Sequence, residues 1–235
     1  RAIMEIYEKP FEVYTKDDDS PVTQADLRAS DIIKEALRPT GLPFVSEEDM
    51  PSDRSGLGCY WLVDPLDGTA EFVKRNGEFT VNIALIENKR PVLGVIYAPT
   101  TDQLWAAENE ERSGESLNEA KRIKVLHSPF SVLVSRSHRT PEVDRYIDEV
   151  LRPRHPDLVI EAQGSSLKFA RLVEGSADVY VCYSKTKEWD TAAADAILTA
   201  AGGRVLRIDD GLPLDYDKDD YPNPPFVAWA PHVRF

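Results

Sequence analysis

The stretch Trp61-Leu62-Val63-Asp64-Pro65-Leu66-Asp67-Gly68-Thr69 runs an apolar segment into two carboxylates set around a proline. Pro65 has no N–H to give a ladder and Asp67-Gly68 is a turn signal. A strand is therefore expected to stop at Asp64 and leave both acids in a tight loop at a sheet end. Two carboxylates three residues apart, with the Leu66 carbonyl between them, offer the oxygen ligands that hard cations such as magnesium take. The same residues also read as a strand followed by an ordinary Asp-Gly turn, and the motif alone does not choose between the two.

Other acids could join this loop, and each has a plainer role open to it. Asp26, in Thr23-Gln24-Ala25-Asp26, fits a capping box in which Thr23 caps a helix and the acid at N3 returns the bond. Glu47 and Glu48 follow a strand end at Val45-Ser46, where a solvated turn is common. Asp190, in Trp189-Asp190-Thr191-Ala192-Ala193, is placed to cap the helix it precedes. What they share is position, at strand ends or helix starts, where an α/β scaffold gathers its sites. Two cations sharing bridging carboxylates form a clamp for in-line displacement at phosphorus. Thr69 adds a hydroxyl next to the loop that could orient a water, and it is equally placed to cap a following helix.

These residues need elements to position them. Apolar residues Ala25, Ala29, Ile32, Ile33, Ala36 and Leu37 recur at helical spacing and predict a helix over 22–37, entered at Ser20-Pro21 and ended by Pro39 and Gly41. Strands are expected over 42–45 and 60–63, then a hairpin of 80–86 and 92–98 joined through Glu87-Asn88-Lys89-Arg90, and a third antiparallel strand over 103–107. Residues 109–121 are polar and read as a loop. Beyond them short strands (132–135, 158–161, 177–183, 205–208) alternate with helices (141–151, 165–174, 191–201). Gly175 and Gly202-Gly203 close the last two helices. The change from a helix and meander to alternating α/β places a boundary near residue 125. Residues 1–125 then carry most of the acids, and 126–235 carry Asp190.

At 235 residues the chain can bury a large core. Its net charge of −13 repels polymeric nucleic acid and anionic membranes, while a small phosphorylated ligand stays admissible because bound cations invert the local field. Two cysteines, Cys59 and Cys182, are too few for a disulfide framework and fit a reducing, cytoplasmic setting. No run of 18 apolar residues is present, so no transmembrane segment is expected. The opening Arg1-Ala2-Ile3-Met4-Glu5-Ile6-Tyr7-Glu8 reads as the tail of an amphipathic helix, so further native residues are expected before it.

Asp64-Pro65-Leu66-Asp67-Gly68-Thr69, Ser46-Glu47-Glu48 and Trp189-Asp190-Thr191-Ala192-Ala193 resemble the signatures of the inositol monophosphatase superfamily, whose members are lithium-sensitive, magnesium-dependent phosphatases. The runs 19–26, 71–86, Ser135-Arg136-Ser137-His138 and Gly164-Ser165-Ser166-Leu167-Lys168-Phe169 resemble, more closely, the bacterial 3'(2'),5'-bisphosphate nucleotidase branch. The resemblance implies an α+β and α/β fold, a layered α-β-α-β-α sandwich of the sugar-phosphatase type. It implies that Glu47, Asp64 and the Leu66 carbonyl hold a first magnesium, that Asp64, Asp67 and Asp190 hold a second, and that Asp26 with Glu47 completes a weaker third site. Asp26 and Thr69 become the pair that polarises the attacking water, and the second magnesium stabilises the departing ribose oxygen.

For the substrate, the resemblance implies contacts from Glu47, Asp67, Gly68, Thr69 and Asp190, and from Ser135 and His138. Gly164-Ser165-Ser166 opens a helix, whose free N–H groups and dipole suit a phosphate, and Lys168 adds a positive charge. The implied reaction is release of the 3'-phosphate of adenosine 3',5'-bisphosphate as phosphate and AMP, with 3'-phosphoadenosine 5'-phosphosulfate as a further substrate, in sulfur metabolism. A homodimer and peripheral docking to the inner membrane stay open. Two departures from relatives stand out: Ser184-Lys185-Thr186-Lys187-Glu188 replaces a Gly-Pro-Thr or Ala-Pro-Thr run, and 109–118 lack a glycine-rich turn. An inositol or sugar phosphate is the alternative substrate, and a cation-binding regulatory module is the non-enzymatic alternative. Thr69 beside Asp26 argues against the last, since binding alone needs no positioned hydroxyl.

Overall fold

The computed structural model describes residues 1–15, 21–51, 56–108, 129–218 and 221–234. The expected loop over 109–121, the 109–118 departure, the boundary at 125, and Asp19 and Ser20 lie outside the described residues. In chain order the helices are α1 (Ala2–Tyr7), α2 (Gln24–Leu37), α3 (Thr69–Val73), α4 (Pro141–Tyr146), α5 (Leu167–Val173) and α6 (Glu188–Ala200). The strands are β1 (Val13–Thr15), β2 (Pro21–Thr23), β3 (Phe44–Ser46), β4 (Cys59–Asp67), β5 (Thr80–Glu87), β6 (Arg90–Ala98), β7 (Gln103–Glu108), β8 (Ser131–Ser135), β9 (Val159–Gln163), β10 (Val179–Cys182), β11 (Arg204–Arg207) and β12 (Phe226–Trp229).

Two five-stranded sheets, ordered β3-β4-β5-β6-β7 and β11-β12-β10-β8-β9, carry the fold. Alternation of side chains along each strand shows what covers their faces. On β4, Trp61 and Val63 pack with Ile33 and Leu37 of α2, whereas Tyr60 and Leu62 share a core with Ala192, Ala193 and Ile197 of α6. On β10, Tyr180 and Cys182 join that same central core, and Val179 and Val181 pack outward with Val143 of α4 and Ile147 and Leu151. The layers are therefore α2, first sheet, α5 and α6, second sheet, α4: the α-β-α-β-α sandwich. Strands buried on both faces read as continuous apolar runs, which is why β4 and β10 stand out in the sequence.

Several elements depart from their sequence reading. β4 does not stop at Asp64 but continues to Asp67, with its register against β5 shifting between those two residues. The hairpin turn is tighter than expected: Asn88 and Lys89 alone connect β5 and β6, both left-handed at φ 50° and 67°, as a twist-matched two-residue turn requires. α6 begins at Glu188, three residues before its expected start at Thr191, and α4 gives way to a π turn over Ile147–Leu151. β12 has no antecedent in the periodicity, yet it pairs antiparallel with both β10 and β11.

The central layer is close-packed at one point that leaves no room. A Cβ at Gly94 of β6 would lie 2.1 Å from the Ala193 carbonyl oxygen of α6. Gly94→Ala must therefore push α6 off the sheet, costing about 3 kcal/mol or more. At this chain size that lowers Tm by roughly 6 °C or more, readable by thermal circular dichroism; a Tm within about 2 °C of wild type would mean that α6 is not clamped there.

Candidate active site

The site forms where the C-terminal end of β4 meets the starts of α3 and α6. In a regular strand Asp64 and Asp67, an odd number apart, would point to opposite faces. The ladder prevents this: Asp64 pairs with Asn82 and Asp67 with Thr80, so β4 carries one residue more than β5 across the same interval. This bulge at Pro65-Leu66 turns Asp67 to the side of Asp64, and bulges commonly re-aim side chains in this way. α6 then delivers Asp190, and one oxygen of each of Asp64, Asp67 and Asp190 lies within 4.8 Å of the others.

Each acid is held by specific donors. Asp64, 1% exposed, accepts the Leu66 N–H at 3.0 Å. Asp67 Oδ2 accepts from Ser166 Oγ at 2.8 Å, Asn82 Nδ2 at 3.2 Å and Thr80 Oγ1 at 3.3 Å. Asp190 Oδ2 accepts the Lys187 N–H at 2.7 Å. Asp190 is therefore the N3 residue of a capping box rather than the N-cap, which is Lys187. Burial raises the Asp64 pKa well above the usual carboxylate value, and the charges of Glu47, Asp67 and Asp190 raise it further. Asp190 is raised for the same reason, first by burial and then by Asp67 and Glu47, with partial relief from the Lys187 N–H and Lys168. Glu47 is fixed beside β4 by its N–H to the Val63 carbonyl at 3.1 Å and lines the same cavity, outside the tight trio.

Asp26 makes the capping box and also reaches Thr69. Its Oδ2 takes the Thr23 N–H at 2.8 Å and the Thr23 hydroxyl at 2.7 Å, completing the capping box, while Oδ1 accepts the Thr69 hydroxyl at 3.0 Å. Burial raises its pKa against the pull of these bonds. Thr69 is the first residue of α3 and does not cap it; the cap is Gly68, left-handed at φ 90°. Thr69 Oγ1 also lies 3.2 Å from the Leu66 carbonyl oxygen, so its proton points at acceptors and its lone pairs are left for another donor.

The trio faces a cavity of about 720 Å³ whose far wall carries Ser135, His138, Gly164, Ser165, Ser166 and Lys168. Ser165 is left-handed at φ 46°, an unusual conformation for a residue with a Cβ, and the neighbouring Gly164 N–H is held by Glu78 at 2.6 Å. Glu78 in turn takes Arg136 through Nε and Nη2 at 2.6 and 2.7 Å, which docks the second half of the chain on the first. Lys168 is not a free cation: it is buried, its ammonium donates to the Ser165 carbonyl at 2.7 Å and lies 3.3 Å from that of Gln163, and burial lowers its pKa. The Ser135 hydroxyl accepts the His138 N–H at 3.1 Å.

Sequence reasoning missed Thr80 and Asn82, which steady Asp67, and Glu78 and Arg136, which steady the 163–166 turn. The one sequence signal is that Thr80 and Asn82 are polar residues at the start of a strand whose middle, 83–86, is apolar.

Comparison with known proteins agrees with this architecture. Residues 1–232 match the model of the inositol monophosphatase family, and the chain belongs to that family. It is 46% identical over 233 residues to the 3'(2'),5'-bisphosphate nucleotidase CysQ of Salmonella typhimurium, covering 96% of this chain and 92% of that protein. The CysQ of Escherichia coli is 44% identical over the same shares. Among solved structures, CysQ from Bacteroides thetaiotaomicron, described as a bacterial member of this family, is 40% identical with a TM-score of 0.82, covering 99% of this chain and 93% of its own.

Asp64→Asn tests the electrostatics of the trio without any cation. A carboxyl whose folded pKa lies above its unfolded value of 3.8 binds more protons when folded, so metal-free stability is lowest at neutral pH and recovers as pH falls through the raised pKa. Asp195, pushed up to about 6 by burial, acts in the same direction in both proteins. At pH 7 in chelator Asp64→Asn should raise Tm by about 3 °C or more, and the gap should close as the pH is lowered. Calorimetric scans across pH read both; a variant less stable than wild type at pH 7 would refute the strained trio.

Proposed function

We propose that this chain is a magnesium-dependent 3'(2'),5'-bisphosphate nucleotidase that hydrolyses the 3'-phosphate of adenosine 3',5'-bisphosphate to AMP and phosphate, and that also takes 3'-phosphoadenosine 5'-phosphosulfate. The observation that carries this is the 44–46% identity, along 96% of the chain, to proteins of that activity. The trio of Asp64, Asp67 and Asp190 gives the reading its chemistry. Cys59 and Cys182 are not joined in a disulfide, which accords with a cytoplasmic setting, and among the described residues no helix is long and apolar enough to cross a membrane.

A hard cation fits these residues. Every donor in the cluster is oxygen, and the raised pKa values of Asp64 and Asp190 mark negative charge that lacks compensation. Glu47, Asp64 and the Leu66 carbonyl would hold one magnesium, Asp64, Asp67 and Asp190 a second, and Asp26 with Glu47 a weaker third. Bound there, the cations supply charge to phosphoryl oxygens and lower the pKa of water.

The protein's own groups do the rest. The Thr69 hydroxyl donates its hydrogen bond to Asp26 or the Leu66 carbonyl, so its oxygen accepts one from the attacking water and aims a lone pair of that water at phosphorus. Asp26, whose Thr23 bonds favour its ionised form against burial, is set behind Thr69 and fixes that direction. Across the cavity the 164–166 turn and Lys168 hold the phosphate that stays, while Ser135 and His138 meet the nucleoside. Residues 1–125 thus supply most of the reacting chemistry and 126–235 the recognition, together with Asp190.

Phosphate release is measured on adenosine 3',5'-bisphosphate, a 3'-monophosphate, inositol 1-phosphate and fructose 1,6-bisphosphate, with magnesium and with chelator. The bisphosphate should have the highest kcat/KM, and chelator should abolish turnover. Preference for inositol or fructose phosphate would move the substrate to the sugar class, and magnesium binding without any release would leave a regulatory module. Thr69→Ala should lower kcat by about 10²–10⁴ with KM nearly unchanged. Lys168→Ala should raise KM for the bisphosphate roughly tenfold to a hundredfold with little change in kcat, because the anchor acts equally in ground and transition states. Equal losses on the monophosphate would remove Lys168 from that role.

A further inference from the structure

The start of α6 is gripped by a segment remote in sequence. Asn223 sits in Pro222-Asn223-Pro224-Pro225, where the prolines stiffen the chain and leave Asn223 with the only N–H of the four. That N–H donates to the Thr186 carbonyl at 2.8 Å. Its side-chain Nδ2 lies 2.6 Å from the Lys187 carbonyl, 3.0 Å from Thr191 Oγ1 and 3.3 Å from Thr186 Oγ1. Alongside, the Glu188 N–H donates to the Tyr221 carbonyl at 2.9 Å, and the fully buried Glu188 carboxylate pairs with Lys218 at 2.9 Å.

The pattern of peptide groups gives the grip a direction. The peptide unit whose carbonyl takes the Asn223 N–H is the one whose N–H, that of Lys187, donates to Asp190 Oδ2 at 2.7 Å. The next peptide unit is held on its carbonyl by Asn223 Nδ2 and on its N–H by Tyr221. A carbonyl at 2.6 Å demands a donor, which fixes the amide orientation and leaves Asn223 Oδ1 buried without a partner. An apolar side chain of similar size removes that unfavourable oxygen but also takes a donor from the Lys187 carbonyl, which keeps the Asp190 N–H at 3.2 Å, so the two effects oppose and the net cost to the fold is small. What Asn223 provides is the placement of the Lys187 peptide.

We propose that Asn223 is a positioning residue for the metal ligand Asp190, acting through the two peptide units from which α6 starts, and that its loss weakens divalent-cation binding more than it weakens the fold. The proposal rests on the cation-dependent reading given above. Asn223→Leu keeps the volume and removes both the NH₂ donor and the unpartnered oxygen. Mn²⁺ binding to the full chain is followed by the electron paramagnetic resonance of the free ion, beside thermal unfolding in chelator. Mn²⁺ affinity should fall about five- to tenfold while the metal-free Tm stays within about 3 °C of wild type. Asn223→Ala, which cannot overpack, should lose affinity in the same direction and is decisive if the leucine variant does not fold. An affinity within twofold of wild type, or a loss matched by a collapse of Tm, would overturn the proposal. A wild-type chain that takes up no Mn²⁺ would overturn the cation reading itself, and the two failures are thereby told apart.

Discussion

Three carboxylates with an oxygen each within 4.8 Å of one another, Asp64 buried and the other two partly buried, repel, and the rest of the structure is arranged to hold them there. Bringing them together required a bulge in β4 to turn Asp67 and a helix start to deliver Asp190, each a local departure from regular structure. Burial first, and then the neighbouring charges, hold Asp64 and Asp190 well above the usual carboxylate range, so that left alone such a cluster relieves itself by protonation. A divalent cation removes the repulsion instead, and the same charge is then available to a phosphate.

The restraints come from both halves of the chain. Asp67 is held by Thr80 and Asn82 from β5 and by Ser166 from beyond the second sheet's edge, so one carboxylate ties the acidic side of the cavity to its far wall. Glu78 does the same from the opposite direction, gripping Arg136 and the Gly164 N–H. The left-handed Ser165 lies between these two ties, with Lys168 fastened to its carbonyl. Backbone strain of this kind persists only where surrounding bonds over-determine it, and here it falls at the wall facing the acids.

Much of this was legible in the residues. Buried strands announced themselves as apolar runs, α2 by its spacing, and every acid of the trio by its place at a strand end or helix start. The strand end at Asp64 was misjudged because Pro65 forbids a ladder bond only in regular pairing, and a bulge accommodates it. The start of α6 was misplaced because its first turn is polar: Lys187, Glu188 and Asp190 form a capping arrangement that periodicity does not register. Glu78, Arg136 and Asn223 were out of reach for a different reason. Their partners lie 58, 86 and 36 residues away, and nothing local to a polar side chain says which distant carbonyl or carboxylate it will meet.

The arrangement of Asp64, Asp67 and Asp190 suits a cation before anything else. Anomalous diffraction at the manganese edge from crystals soaked in Mn²⁺ tests it directly. A peak among the carboxylates of Asp64, Asp67 and Asp190, absent from Asp67→Asn crystals treated alike, is the expected result. Crystals that show ordered carboxylates and no anomalous peak between them would contradict it.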